Sequence, residues 1–430
     1  MKTRAAIEKG VFALAALILS GALWRLFSSG AQSQSSTDGD PRTQILLTIV
    51  YVVVAILVAL RLRDTVWILS RNPALTCLLP LACVSPLWAE SPDIVFRRAL
   101  GLVGASLFGI VLAVYYPFEK QLEILRWAFR LGATATLLLF IASPGRAFSA
   151  PGGGGGIRGV YPHKNILGAA MALAFLVEWY LREHQGWAKI LRILSLCAYG
   201  ALLIASDSMT SIVTVVAALG TVWTFRTLYT RFQIPAWALG LFLMVGVGAA
   251  AVIGIDVADV MGLLGRSSDL TGRTELWSTV FESILDKPLL GFGFSGFWKG
   301  ASSSSENVQG QIGWAPTYSH NGYLEITLSL GLVGLLFVIW LLTTLFKRSW
   351  RQAEEGDSAL DSWPLAIFFF VVIHNITECT IAWQNCLEWS VCVATVIGCD
   401  PRWRATLAED DEEPHESMKQ GASLPEPECV

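Results

Sequence analysis

The side chains best suited to chemistry are a few ionisable residues set beside long apolar runs. In SHNGYLE, Ser319 to Glu325, His320 and Asn321 stand just before such a run and Glu325 lies just inside it. Histidine exchanges a proton near neutral pH, so His320 has the chemistry of a general base. At the mouth of a helix it suits an interfacial cap equally well. Glu325 is an ionisable group within an apolar segment, a costly placement that usually marks function. In GIRGVYPHKNILG, Gly156 to Gly168, the residues Arg158, His163 and Lys164 form a cationic patch ahead of another apolar run. That patch reads as an anion contact or as interfacial cations beside a flexible hinge. The glycines Gly152–Gly156 do not make a phosphate loop, because no GK[ST] follows them. His374 and Glu378 share a helix face at i, i+4 beside Asn375. They either line a polar cavity or pair structurally. Arg273, in GRTELW, reads on spacing alone as a solvated loop cation or a contact to lipid phosphate.

These residues must be positioned by membrane helices. The 430-residue chain is 53% hydrophobic and only 15% charged, with mean hydropathy +0.53; a soluble domain carries about 25% charged residues. A membrane-crossing helix needs roughly 20 apolar residues, and the sequence predicts twelve spans, at 11–27, 45–60, 73–90, 97–116, 124–143, 166–181, 190–205, 210–229, 235–255, 322–346, 363–379 and 383–399. The fold class expected is therefore all-α, a polytopic transmembrane bundle lying in the lipid bilayer. The first run is expected to be an uncleaved span, since Trp24 and Arg25 stand where a small-residue cleavage site would fall. Net charge of −3 argues against a nucleic-acid partner.

Basic residues set the orientation, because cytoplasmic loops retain Lys and Arg. Lys2, Arg4 and Lys9 precede the first span; Arg61, Arg63 and Arg71 follow the second; Lys347, Arg348 and Arg351 follow the tenth. Arg97 and Arg98 fit this scheme poorly, falling near an extracytoplasmic end. Two extracytoplasmic segments stand out, Pro144–Asn165 and the large loop Asp256–His320 between spans nine and ten. Residues 1–400 thus form one membrane domain, and 401–430 an acidic, disordered cytoplasmic tail. Asp38-Gly39-Asp40 matches a metal-binding DxD pattern, but its Ser/Gln-rich surroundings carry no ordering signal, and no metal is expected. Cys379 and Cys386 flank a short extracytoplasmic turn, where a disulfide is sterically open to them. Within the large loop, Trp277, Val280, Phe281 and Ile284 recur at helical spacing; Pro288 ends that helix, and Gly291, Gly293 and Gly296 mark a turn-rich exit.

The blocks GVYPHKNILG, GRTELW and SHNGYLE, in this order and with the long loop between spans nine and ten, resemble the O-antigen ligase and polymerase superfamily. Within it the likeness is greatest to exopolysaccharide polymerases of the succinoglycan type, and it covers roughly spans five to twelve. The resemblance implies a glycosyltransferase of the bacterial inner membrane, working on the periplasmic side without metal or other cofactor. Its donor would be a glycan on undecaprenyl pyrophosphate, joined with inversion to a hydroxyl of an acceptor glycan. By the same resemblance His320 is the base for the acceptor hydroxyl and Arg273 holds the pyrophosphate. Asn321, Glu325, His374 and Glu378 would contribute to substrate binding, and other exopolysaccharide assembly proteins are conceivable partners. Ligases carry a second arginine between spans seven and eight; here that turn reads ASDSMTSI, Ala205 to Ile212, without one. Arg158 or Lys164 would then supply the missing charge. The expected activity is polymerisation of repeat units. A ligase, and less so a glycan transporter or flippase, are the alternatives.

Overall fold

The computed structural model describes residues 2–22, 24, 41–149, 155–183, 185–232, 271–298 and 303–407. Among these all regular structure is helical, with one isolated β-bridge, Phe148 to Ile157. Apolar runs in a bilayer satisfy their backbone groups only within the segment or against buried protein, which favours helices throughout. The helices are α1 (Lys2–Leu19), α2 (Pro41–Leu60), α3 (Leu62–Ser70), α4 (Pro73–Val84), α5 (Pro92–Tyr115), α6 (Phe118–Ala142), α7 (Lys164–Tyr180), α8 (Gly186–Ala205), α9 (Met209–Phe232), α10 (Thr271–Asp286), α11 (Ser303–Ile312), α12 (Gly322–Glu355), α13 (Trp363–His374) and α14 (Leu387–Gly398). Proline opens α2, α4 and α5, where its missing N–H costs nothing.

Six described helices are long and apolar enough to cross a membrane: α2, α5, α6, α8, α9 and α12. A seventh crossing results if α3 and α4, bent by 101°, count as one broken span. The described residues are thus all-helical in their regular structure, and their apolar helices are those of a multi-pass membrane protein. Helices also occupy the expected segments at α1, α7, α13 and α14, but these are shorter or less apolar. The expected span 235–255 and Asp38–Asp40 lie outside the described residues. Helical packing runs past the boundary expected at residue 400: residues 401–407 are helical, and Trp403 is buried with its indole N–H donated to Ala113 O. The remainder of the tail, 408–430, is outside the described residues. Cys379 and Cys386 are both free thiols.

The core is built on α5 and α14. Every residue of α14 is buried. Gly109 allows α5 to close on it, since a Cβ there would lie 2.3 Å from Ser390 O. Polar groups in this seam are paired, Trp389 Nε1 to Ser106 Oγ and Ser390 Oγ to Ala105 O, both at 2.8 Å. Elsewhere Glu178 of α7 is wholly buried and held by Arg126 and Arg130 of α6 at 3.0 and 2.6 Å. Removing either partner of such a buried pair leaves an uncompensated charge, which typically costs about 3–5 kcal/mol.

The helix that carries the SHNGYLE block is broken. Gly331 in α12 has φ +67°, a left-handed conformation within a helix. The backbone groups released there bond to the segment that follows α10: Phe292 N–H to Leu328 O at 2.9 Å, Gly293 N–H to Ser329 O at 3.0 Å, and Leu332 N–H to Pro288 O at 2.8 Å. Residues 291–298 are therefore buried, where the sequence suggested only a turn-rich exit. Arg98, which fitted the charge rule poorly, is buried and donates to Ser295 O, so it serves this insertion instead of marking a loop. The buried face of α10 also differs from expectation. Leu276, Val280 and Ile284 pack on Phe292, Phe297, Trp298 and Leu328, while Phe281 is 56% exposed.

Gly331 cannot be replaced cheaply, because a Cβ would lie 2.1 Å from the Leu289 carbonyl. The left-handed backbone alone costs a non-glycine residue about 1–3 kcal/mol. Gly331→Ala is expected to lower the thermal unfolding midpoint of the detergent-purified protein by several degrees. Gly200→Ala, at a site with nothing within 4 Å, is expected to leave it unchanged or slightly raised.

Candidate active site

His320 is held in a conformation its own residue type disfavours, with φ +53°. The flanking residues over-determine it. The Ser319 amide donates to Glu325 Oε2 at 2.8 Å, and the Ser319 carbonyl accepts from Trp277 Nε1 at 2.9 Å. Asn321 caps α12 by accepting from the Tyr323 and Leu324 amides, both at 3.0 Å, and donates to Ile376 O. Gly322 is required because a Cβ would lie 2.3 Å from Asn375 Oδ1, and its amide donates to Asn375 O. The strain at His320 is thus offset by fixed contacts from α10, α12 and the turn after α13. Such an arrangement is usual where geometry serves function.

Glu378, in that turn, is the point where the separate blocks meet. Its Oε1 accepts from Asn165 Nδ2 at 2.7 Å and lies 3.4 Å from Arg273 Nη2. Its Oε2 accepts from the Tyr318 hydroxyl at 3.3 Å and lies 3.9 Å from His320 Nδ1. Arg273 also donates to Thr377 O at 2.9 Å. The Tyr318 and His320 rings are 4.1 Å apart. One buried carboxylate therefore collects the N-terminal turn of α7, the start of α10 and the loop into α12.

The other residues singled out in the sequence take different places. His163 caps α7 through Nδ1, which accepts from the Asn165 amide at 3.2 Å. Lys164 pairs with Asp207 at 3.3 Å, so the arginine-free turn after α8 is tied to the GVYPHKNILG block. The Nε atom of Arg158 is buried without a hydrogen-bond partner. Glu325 is occupied by Trp298 Nε1 and the Ser319 amide and acts on the backbone of the His320 loop. His374 is stacked on Phe370 and does not contact Glu378 side by side as an ion pair; it lines a cavity with it. Asn165, Tyr318 and Trp298 were not singled out in the sequence. Asn165 lies inside a recognised block, but only the fold shows that it reaches 213 positions along the chain.

Electrostatics keep the His320 imidazole neutral. Burial, then the Arg273 guanidinium and His163, hold its pKa down to about 3. His163 is likewise lowered by burial, Lys164 and Arg158, so the four cationic or basic side chains act on one region. Burial pushes the Glu378 carboxyl up, and Arg273, Asn165 and Tyr318 oppose that rise. A depressed histidine pKa means that the neutral form persists as pH falls. The His320 resonance, assigned by difference from His320→Gln in a ring-labelled sample, is therefore expected not to titrate between pH 8 and 5. Titration near the ordinary value of about 6.5 would contradict this environment. Among the described residues no three His, Cys, Asp or Glu side chains are grouped to hold a metal ion.

Residues 193–339, which contain α10, the His320 loop and the broken part of α12, match the O-antigen ligase family. The exopolysaccharide production protein ExoQ of Rhizobium meliloti is 28% identical over 290 residues, 64% of this chain and 65% of that protein. A Rickettsia conorii protein named as a polysaccharide ligase is 29% identical over 104 residues, 23% of this chain and 25% of its own length. The chain thus spans just under two thirds of the first relative and a quarter of the second. The likeness read from three short blocks is borne out: residues 193–339 match the O-antigen ligase family, and the chain is similar to an exopolysaccharide production protein over 64% of its length.

Proposed function

We propose that the protein polymerises polysaccharide repeat units, transferring a glycan from undecaprenyl pyrophosphate to a sugar hydroxyl at the periplasmic face of the inner membrane. The observation that carries this reading is the convergence of His320, Glu378 and Arg273 at one buried point. Two of these lie within the stretch that matches the O-antigen ligase family. A transporter would be expected to place its polar site near the bilayer midplane on repeated broken helices; here the site sits at helix ends and in the turns joining them.

The chemistry follows from these groups. The acceptor oxygen forms a bond to the anomeric carbon from the face opposite the leaving group. The bond from that carbon to the pyrophosphate oxygen breaks, which inverts the configuration, and the electron pair leaves with the lipid pyrophosphate. Neutral His320 takes the hydroxyl proton, a role that typically contributes about 10²–10⁴-fold. The Nδ1 atom faces Glu378, whose carboxylate stabilises the imidazolium that forms; a 3.9 Å approach tightens once charge develops. Arg273 meets the leaving pyrophosphate with a planar fork that lysine cannot reproduce. Arg158 adds positive charge, and Lys164 is the further candidate.

The ligase reading shares every one of these groups and differs only in acceptor. Polymerisation is supported by the likeness of the sequence blocks to exopolysaccharide polymerases; the first relative is named for exopolysaccharide production and the second for polysaccharide ligation. In a strain lacking the protein, single repeat units on undecaprenyl pyrophosphate are expected to accumulate with no long polymer. Fully polymerised chains on the carrier lipid would identify a ligase. His320→Ala is expected to abolish product and Arg273→Lys to reduce it by at least about tenfold, as loss of a charged hydrogen bond implies. Both variants are expected at normal membrane levels. Wild-type yield from either would overturn that residue's role.

A further inference from the structure

A cavity of about 160 Å³ adjoins the site; Glu378 and Tyr318 line it, whereas Arg273 and His320 do not. Its walls come from the end of α1, the start of α7, Tyr318 and the turn between α13 and α14. Three of the residues in its lining, Trp24, His374 and Gln384, each also carry a buried polar atom without a hydrogen-bond partner. The His374 and Gln384 side chains come from residues only 1% and 6% exposed. The side chains of Asn165 and Gln384 supply amide donors and acceptors to the lining, and Ser20 and Thr380 supply hydroxyls. The lining adds the carboxyl groups of Glu378 and Glu388, and among the described residues it contains no Lys or Arg. A phosphate would be repelled there. The remaining wall is apolar and aromatic, with Trp383, Trp24 and Tyr318 presenting rings. Trp383 and Tyr318 meet edge to face at 5.7 Å.

The turn that supplies Trp383 and Gln384 is itself strained into place. Ala382 and Asn385, on either side of them, have φ +48° and +54°. Asn385 Oδ1 accepts from the Tyr51 hydroxyl at 2.6 Å, and a Cβ on Gly101 would lie 2.8 Å from it, so α2 and α5 clamp the turn. Non-glycine residues persist in this conformation only when their surroundings fix it, as at ligand clamps.

We infer that this cavity is a subsite for one uncharged sugar ring, the terminal ring of the acceptor glycan. A pyranose has hydroxyls around its rim that donate and accept, matching the amide, hydroxyl and carboxyl side chains of the lining. Its C–H faces suit the indole and phenol rings. The space is below the ~300–1,000 Å³ of sites for drug-sized ligands and takes one ring, not an oligosaccharide. Opposite charge separates the two substrates: the cationic side of Glu378 receives the pyrophosphate, and the acidic cavity receives the neutral acceptor, with His320 at the boundary. This rests on the glycosyl-transfer reading above.

The test uses the full chain in lipid nanodiscs and saturation-transfer NMR with methyl glycosides of glucose, galactose, mannose and N-acetylglucosamine. At least one glycoside is expected to give signal with the wild type and with His320→Ala, which lies outside the lining. Gln384→Leu, nearly isosteric, and Trp383→Ala are expected to weaken that signal by about tenfold or more, whereas Trp383→Phe retains most of it. No signal from any glycoside, or equal signal from Gln384→Leu and the wild type, would overturn the subsite. The transfer reading is tested apart from this by the lipid-linked glycan of the deletion strain. If repeats accumulate there but Gln384→Leu and Trp383→Ala restore full polymer, the subsite alone is wrong.

Discussion

The buried carboxylate of Glu378 is the interaction on which the site depends. It lies in a short turn, yet it is the common partner of Asn165, Arg273 and Tyr318 and the nearest anion to His320. Without it, Arg273 and His320 would be two positive or basic groups in one low-dielectric region with nothing between them. Burial disfavours ionised Glu378 and protonated His320 alike, so neither tolerates the loss of its neighbours. The residues of this end of the molecule are tuned together, and none of them carries its properties alone.

The scaffold accepts considerable local cost to hold this arrangement. All five non-glycine residues with positive φ among the described residues, Asp207, Ser295, His320, Ala382 and Asn385, belong to the site or to segments that brace it. Asp207 anchors Lys164, Ser295 accepts from Arg98, and Ala382 and Asn385 frame the cavity turn. The break in α12 at Gly331 serves the same end, since it lets residues 288–298 enter and place Trp298 against Glu325. A regular helix would be more stable locally and would leave Ser319 and His320 without their support.

Much of this was legible in the sequence because the signals were local. Apolar run length gave the helices, ionisable residues at run ends singled out His320 and the His163 region, and only the resemblance of GRTELW singled out Arg273. What could not be read was pairing across distance. Asn165 and Glu378 are far apart in the chain, and no spacing rule relates them. The burial of GFGFSGFW was hidden because glycine-rich composition describes turns in water and backbone insertion against a broken helix equally well. The poor fit of Arg98 to the charge scheme has a related reason: charge rules for orientation count arginines in loops, whereas this buried arginine satisfies a carbonyl. The α10 face was assigned to Phe281 on periodicity, but the neighbours that decide it, Phe292 and Trp298, lie beyond the helix.

The shared site is probed most directly by a double-mutant cycle on the transfer rate, with Arg273→Gln, Glu378→Gln and the two combined, each measured in nanodiscs with the lipid-linked repeat extracted from a deletion strain. Groups in one hydrogen-bonded network couple by about 0.5–3 kcal/mol, whereas distant sites add within about 0.3–0.5 kcal/mol. If Glu378 organises the site through Arg273, the combined variant loses little more than the worse single one. Losses that simply multiply would mean that the two residues act independently, and that the carboxylate is not the centre described here.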